Sequence, residues 1–525
     1  MRIFLSGLMG AGKSTVSRAL AVRAGLPLFD LDEQVAARVG CSVQEFFKTR
    51  GQEAFREIEA STLESLLAQQ PHAVIALGGG AVLQRATRRM LLNAGFLVTL
   101  EASSDELVRR VGHGAGRPLL AAHGDVRARL ETLRQERAEA YAECHARVDT
   151  THLDPDRAAR QIWEGAQEAP ILVPLGLRTY RVIIGSNVRH TLAQRLRELG
   201  SVSSILVVTD TQVGPPWGRA LVSELRSVGH VVSQIELVPG ESAKTLESIE
   251  AIWHVALDAG LDRGSVVIGV GGGVIGDMAG FAAACLLRGV RVLHVPTTLL
   301  AMVDSAIGGK TGFDTRHGKN LIGAFHQPSC VLSDVQMLGT LSVAERRAGL
   351  AEVVKSAWID GEAAVAQLEA DADALTNHDE AATLRAIRMA AGLKARIVTQ
   401  DEREDGLRAV LNLGHTLAHA IEASSGYAGI RHGEAVSIGM VAACRVAQQL
   451  GRLSAADVQR AQQLLDRLGL PTTVEPYLSD RVLSFLTADK KRKGAKLSYV
   501  TPGKPGDVVM LPFSVDELGA LLRRC

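Results

Sequence analysis

Over the first third of the chain, short unbroken apolar runs alternate with longer stretches of helical period. "RIFLSG", "AVIALGG" and "FLVTL" lack the in-out alternation of a half-exposed strand, so they predict strands buried on both faces, as in parallel sheets. "KSTVSRALAVRAG", "VQEFFKTRGQEAFREIEASTLESLLAQQ" and "DVRARLETLRQERAEAYAE" place apolar residues at helical spacing. The alternation predicts an α/β domain over 1–168, a parallel sheet with helices on both faces. The pattern lapses at 166–177, "AQEAPILVPLGL", whose two prolines predict a linker over about 169–178.

A second α/β series opens at "TYRVIIGS" and continues through "SILVVTD", "VVSQIELVPG", "SVVIGVGGG" and "RVLHVPTT". It predicts an α/β subdomain over 179–325. After about residue 326 the strands fade into long Ala-, Leu- and Arg-rich helical segments, a helical subdomain over 326–525 with one late strand at "KLSYVTP". No internal repeat or low-complexity tract is present.

Composition narrows the partners. Hydrophobic residues are 46% and charged residues 22%, which suits packed globular domains and excludes a disordered chain. Fifty-eight Lys+Arg against 57 Asp+Glu leave a net charge of +1, with no basic footprint for nucleic acid or an anionic membrane. The apolar stretch "MAGFAAACLL" at 278–287 is too short to span a bilayer and is bracketed by Asp277 and Arg288. Six scattered cysteines form no CxxC pair, and the start "MRIFLSGLMG" enters a strand without a signal segment. The expectation is a cytoplasmic protein with small-molecule partners.

"GLMGAGKST", residues 7–15, fits G-x-x-x-x-G-K-[ST] directly after a strand. In such a loop the amides of Gly10, Ala11, Gly12, Lys13, Ser14 and Thr15 turn around phosphate oxygens. Lys13 reaches the β/γ-phosphates, and Ser14 can ligate magnesium. The alternative is a Gly-rich turn with a surface lysine. "FDLDEQV" adds Asp30 and Asp32 at a strand end, a magnesium shell and acceptor site or, more blandly, a helix N-cap. Arg56 in "GQEAFREIE", Gly78, Gly79 and Gly80 in "LGGGAVL", Arg117 in "HGAGRPLL" and Arg137 in "RQERAEAY" complete an ordered set.

That set resembles the shikimate kinases over nearly all of residues 1–165. The resemblance implies that Asp30 organises magnesium and that Asp32 holds the shikimate hydroxyls and accepts a proton. It implies that Arg56 and Arg137 clamp the carboxylate, a task suited to planar guanidinium forks. Gly78 to Gly80 would close on the ring. Arg117 would sit in a lid over ATP, and Arg110 and Arg147 would flank the adenine. Residue types and spacing alone reach only a small-molecule P-loop kinase; a kinase of another sugar acid is the rival.

"GVGGGVIGDMAG", residues 269–280, satisfies G-x-G-x-x-G, a weak signal alone and equally consistent with close helix–strand packing. "AGLAEVVKSAWIDG" puts Glu352 and Lys355 on one helical face. "LNLGHTLAHAIE" does the same for Asn412, His415 and His419, and "IRHGEAVSIGM" adds His432 at the start of an apolar helix. A carboxylate with two or three histidines suits a catalytic zinc site with one position open. Lone histidines on apolar helices are usually core residues, but this many are costly to bury. Spacing alone would pair His415 with His419.

Residues 171–525 resemble the 3-dehydroquinate synthases through "PTTLLAMVDSAIGGKTGFDTRHGKNLIGAFHQP", "AGLAEVVKSA", "DEREDGLRAVLNLGHTLAHAIE" and "HGEAVSIGM". The resemblance implies a Rossmann-like subdomain followed by a helical one, and a homodimer through this half. It implies one zinc, or cobalt, on Glu352, His415 and His432, with His419 facing substrate. It also implies NAD⁺, reduced and reoxidised within one turnover, against Asp210, Glu241, Lys244, Gly271, Gly272, Gly273, Asp277, Thr297, Thr298, Lys310 and Lys319. Arg288, Lys310, Asn320 and His419 would face the substrate phosphate. Lys394, Arg408 and Asn412 would take the carboxylate end, and Asp304, Lys355 and Glu404 the diol. The implied reaction converts 3-deoxy-D-arabino-heptulosonate 7-phosphate to 3-dehydroquinate with loss of phosphate. Met302 stands where the family more often has glutamine. One of Lys490, Lys491, Lys493 and Lys496 is expected to reach the phosphate. The rival for this half is a metal-dependent polyol dehydrogenase, and for either half an inactive scaffold.

Overall fold

The structure, a computed structural model, describes residues 1–112, 125–426, 429–488, 492–493 and 496–525. Contacts divide the chain into two compact units, Met1–Arg181 and Val182–Cys525.

In the first unit five strands form one sheet: β1 Arg2–Gly7, β2 Leu28–Asp30, β3 Ala73–Ala76, β4 Phe96–Glu101 and β5 Ala146–Asp149, in the order β2-β3-β1-β4-β5. All pairs are parallel. The three apolar runs become β1, β3 and β4, buried almost throughout. The chain builds outward from β1 in both directions, so the loop after β1 lies at a topological switch point, where α/β sheets bind ligands. A helix Lys13–Ala24 follows that loop. The long helix Val43–Gln69 is kinked at Gly51, which has φ 81° and ψ 177°. The third expected helix divides at Arg137 into Val126–Glu136 and Ala138–Ala142. The segment expected as a linker contains a short strand, β6 Ile171–Val173, and a 3-10 turn Gly176–Arg178.

In the second unit the strands β7 Tyr180–Gly185, β8 Ile205–Asp210, β9 Val232–Leu237, β10 Val266–Gly271, β11 Arg291–Pro296 and β14 Cys330–Asp334 run in the order β7-β14-β11-β10-β8-β9. β14 lies beyond residue 325 yet pairs with β11, so the sheet continues past the boundary expected from the fading apolar runs. β12 Lys310–Thr315 and β13 Gly318–Phe325 form a separate antiparallel hairpin. The ends of β8 and β10 again flank a switch point, which places Asp210 and Gly271 at its rim.

Helices Val343–Asp360, Glu380–Gln400, His415–Ser424 and His432–Gln449 make up much of the remainder. The expected late strand is present as Lys496–Pro502, paired with Val508–Phe513. Among the described residues no helix is long and apolar enough to cross a membrane.

Candidate active sites

In the first unit, helix Lys13–Ala24 starts at Gly12, whose φ of 93° is left-handed and whose position offers no side-chain cap. Its first amides therefore face the loop, an anion-binding arrangement. Lys13 Nζ donates to the carbonyls of Gly7 (2.8 Å) and Leu8 (3.2 Å). Asp30 caps the helix Leu31–Val39, accepting from the Asp32 amide at 3.0 Å.

Asp32 stands in the open cleft. Crowding there desolvates its carboxyl, and with Asp30 nearby its pKa is raised. It lines a cavity of about 140 Å³ with Arg56, Glu59, Gly78, Gly79, Gly80, Arg137 and an apolar wall that includes Met9, Phe47 and Phe55. A Cβ on Gly80 would lie 2.0 Å from an Arg56 nitrogen, and one on Gly78 would lie 2.6 Å from a Glu59 oxygen and 2.8 Å from an Asp32 oxygen. The glycines thus let the chain pass beneath these charges. Arg137 donates to the Gly79 carbonyl at 2.7 Å, as does Tyr141 at 2.6 Å. Arg110 reaches the Gly10 carbonyl at 3.3 Å and Thr150. Arg147 is exposed, 3.9 Å from Glu101. Arg117 lies outside the described residues.

Glu59 was not visible to sequence reasoning. It pairs with Arg56, is 2% exposed, and its pKa is raised by burial. Its place three residues after Arg56, on the same helix face, is the available signal.

In the second unit three helices bring Glu352, His415 and His432 together, with one ligand atom of each within 4.8 Å of the others. Nε2 of His415 is 3.4 Å, and Nε2 of His432 3.6 Å, from Glu352 Oε1. Lys355 pairs with Glu352. Neither carboxylate oxygen of Glu352 has a well-directed hydrogen bond, although the side chain is 1% exposed. A buried carboxylate so placed beside two imidazoles fits a divalent cation with an N/O donor preference.

Each histidine is also held from behind. Nδ1 of His415 lies 3.2 Å from the Leu413 carbonyl, and Nδ1 of His432 lies 3.3 Å from Glu422 Oε2. Such contacts fix the tautomer and orient the ligand. His419 is exposed, its ring 5.4 Å from that of His415 and 6.5 Å from that of His432. Glu422, seven residues after His415 on the same face, was also missed.

Around this cluster, Lys394 donates to the side chain (2.5 Å) and carbonyl (2.6 Å) of Asp304. Burial draws the Lys394 pKa down to about 8 against the pull of Asp304. Burial opposes ionisation of Asp304, but Lys394 and Lys355 hold its pKa well below the usual range. Lys310 pairs with Glu404, and Asn412 donates to Glu404 at 2.9 Å. Arg408, 2% exposed, donates to the carbonyls of Gly308 (3.1 Å) and Glu402 (2.5 Å). Arg288, Asn320 and Glu404 all have positive φ, at 67°, 51° and 62°, conformations that concentrate at functional sites.

Elsewhere in the second unit, Lys244 donates to Asp277 and Asn320, both at 2.6 Å. Lys319 Nζ lies 3.3 Å from Glu241 and 3.4 Å from Glu422. Asp210 accepts from the amides of Gln212 and Val213 at 2.9 Å. Helix Gly273–Cys285 starts at Gly272 without a side-chain cap, and Thr297 donates to the Gly271 carbonyl at 2.9 Å. A Cβ on Gly272 would lie 3.1 Å from Thr298, and one on Gly273 3.0 Å from Ser305. The glycines therefore serve close packing and an open helix N-terminus together. Met302 is fully buried. Lys490 and Lys491 lie outside the described residues, as does the side chain of Lys493, while Lys496 is exposed.

These two sites define a P-loop phosphotransferase unit followed, in one chain, by an α/β-plus-helical unit with a Glu/His/His cluster around a buried carboxylate. Residues 9–167 match the shikimate kinase family. Residues 234–348 and 349–492 match the N-terminal and C-terminal parts of 3-dehydroquinate synthase. The 3-dehydroquinate synthase of Caulobacter vibrioides is 43% identical over 344 residues, 64% of this chain and 93% of that protein. That of Geobacter metallireducens is 43% identical over 330 residues, 63% and 92%. A solved 2-epi-5-epi-valiolone synthase from Streptomyces hygroscopicus, with NAD⁺ and Zn²⁺ bound, is 28% identical with a TM-score of 0.60, over 65% of this chain and 95% of that one. The chain belongs to the 3-dehydroquinate synthase family and carries a shikimate kinase domain ahead of it. It is an enzyme of the shikimate pathway with a phosphotransferase and a phosphate-eliminating lyase activity.

Proposed function

We propose that the two reactions run at two separate sites, one in each unit, with the following division of labour. In the first, the amides of Gly10 to Thr15 and Lys13 hold the ATP phosphates, and Ser14 and Asp30 hold magnesium. Asp32 takes the proton of the attacking shikimate hydroxyl, a role suited to a carboxylate whose pKa is raised. Arg56 and Arg137 clamp the shikimate carboxylate over Gly79 and Gly80. Arg110, Arg147 and Arg117 serve the nucleotide.

In the second, Glu352, His415 and His432 hold zinc or cobalt, and the wall from Asp210 through Glu241, Lys244, Gly271 to Gly273, Asp277, Thr297, Thr298 and Lys319 holds NAD⁺. When bound, the ion supplies Lewis acidity at the substrate hydroxyls and NAD⁺ supplies reversible redox capacity. Arg288, Lys310, Asn320 and His419 bind the substrate phosphate. Lys394 and Asn412 bind the carboxylate, with Arg408 bracing the wall behind them. Asp304, Lys355 and Glu404 orient the diol. With a pKa of about 8, Lys394 can hold or release a proton near neutral pH. The second unit works as a homodimer in the cytoplasm, and Arg288, which is exposed, reaches into a neighbouring subunit's site.

The observation that carries the reading is the convergence of Glu352, His415 and His432. His432→Ala should strip zinc from the purified protein, whereas His419→Ala should keep zinc and turn over slowly. Metal analysis with the reverse order would refute the ligand assignment.

A further inference from the structure

Glu422 is buried, 4% exposed, in the last turn of helix His415–Ser424. A carboxylate there faces the negative end of the helix dipole and loses its hydration, so the position is costly without specific partners. Its two oxygens have different ones. Oε2 lies 3.3 Å from Nδ1 of His432, and Oε1 lies 3.4 Å from Nζ of Lys319. Lys319, on β13, lies 3.3 Å from Glu241, which follows β9. One carboxylate therefore joins a metal-site histidine to two side chains on the dinucleotide wall.

We propose that Glu422 is a positioning residue that couples occupancy of the metal centre to occupancy of the dinucleotide site. The inference rests on the assignment of the metal to Glu352, His415 and His432 and of NAD⁺ to the wall carrying Lys319 and Glu241. With Nε2 of His432 committed to a metal, Nδ1 carries the proton and donates to Glu422 Oε2. That bond fixes the carboxylate, so Oε1 stays directed at Lys319. Lys319 is then held beside Glu241 before the dinucleotide arrives. A dinucleotide entering the metal-loaded protein meets a wall already ordered and binds more tightly. By linkage the dinucleotide strengthens metal binding by the same factor.

The test uses the full chain and measures binding. Zinc affinity is read by competition with a fluorescent chelator, and NAD⁺ affinity by calorimetry, in zinc-loaded and zinc-stripped protein. Wild type should bind NAD⁺ at least about fivefold tighter when zinc-loaded. Glu422→Gln should bind zinc roughly tenfold more weakly, and the zinc-loaded to zinc-stripped ratio for NAD⁺ should fall to near one. Lys319→Met should also bring that ratio to near one, while its zinc affinity without NAD⁺ stays within about threefold of wild type. A ratio that persists in either variant overturns the proposal, as does a Glu422→Gln variant that loses only thermal stability. Wild-type protein that binds no zinc, or a Lys319→Met variant with unaltered NAD⁺ affinity in the stripped state, overturns the site assignment beneath it.

Discussion

Gly433 offers a severe test of how the proposed metal centre is built. Helix His432–Gln449 meets helix Val343–Asp360 at this glycine, and a methyl added to it would lie 1.8 Å from the Ala348 carbonyl oxygen and 2.5 Å from its carbon. Both contacts are to backbone, so no side-chain rotation relieves them. The helices must part by roughly 1 Å, at a cost of about 1–3 kcal/mol for an overpacked contact. His432 immediately precedes Gly433 on one helix, and Glu352 sits one turn beyond Ala348 on the other. Parting the helices separates two of the three proposed metal ligands, whereas metal–ligand distances tolerate only about 0.2 Å. Gly433→Ala should therefore weaken zinc binding at least about tenfold and slow dehydroquinate formation in parallel. Excess zinc should restore part of the activity, and shikimate phosphorylation should be unchanged. Dialysis against a weak chelator, elemental analysis and the two activity assays decide the matter. A folded variant with wild-type zinc content and turnover would show that the helix contact does not hold the ligands in place.

Glu59→Gln should raise the KM for shikimate at least about tenfold and leave that for ATP alone, because the buried pair that aims Arg56 is lost; equal changes in both constants would contradict this. Acid should destabilise each unit through a buried histidine. Burial lowers the pKa of His145 and of His294 to about 4, and the Leu97 amide donates to the bare Nδ1 of His145 at 3.0 Å. The unfolded chain takes up these protons below about pH 6.5 and the folded chain only below about 4. Each group's contribution is thus complete above pH 6.5 and falls by about 2 kcal/mol by pH 5. Urea titrations at pH 7 and 5 should show the loss, and His294→Leu should flatten the pH dependence for the second unit; an unchanged slope would refute it.

Much of this was legible because the chemistry sits in contiguous segments. A strand, a glycine turn and a helix start occupy residues 2–15 without interruption, so the P-loop could be read directly. The buried parallel strands read as continuous apolar runs for the same reason. β13 did not: "GKNLIGAF" is mostly exposed, and its residues Lys319 and Asn320 answer to the site more than to a core. β14 was hidden because its short run "CVLSD" is tied to the sheet by long-range pairing with β7 and β11 and not by any local pattern. The DxD pair had two readings, and Asp30 is a helix cap in the structure, while its magnesium role stays a proposal. Glu59 and Glu422 carry no motif of their own; helical spacing from Arg56 and His415 shows them only once those residues have been given roles.

If one chain holds two independent active sites, as proposed, the two activities can be lost one at a time. A crossed assay takes two full-length variants, Lys13→Ala and His432→Ala, and measures each for ATP-dependent phosphorylation of shikimate and for phosphate release with dehydroquinate formation. Lys13→Ala should lose the first activity and keep the second, and His432→Ala should do the reverse. Loss of both activities in either folded variant would show that the two sites are not independent.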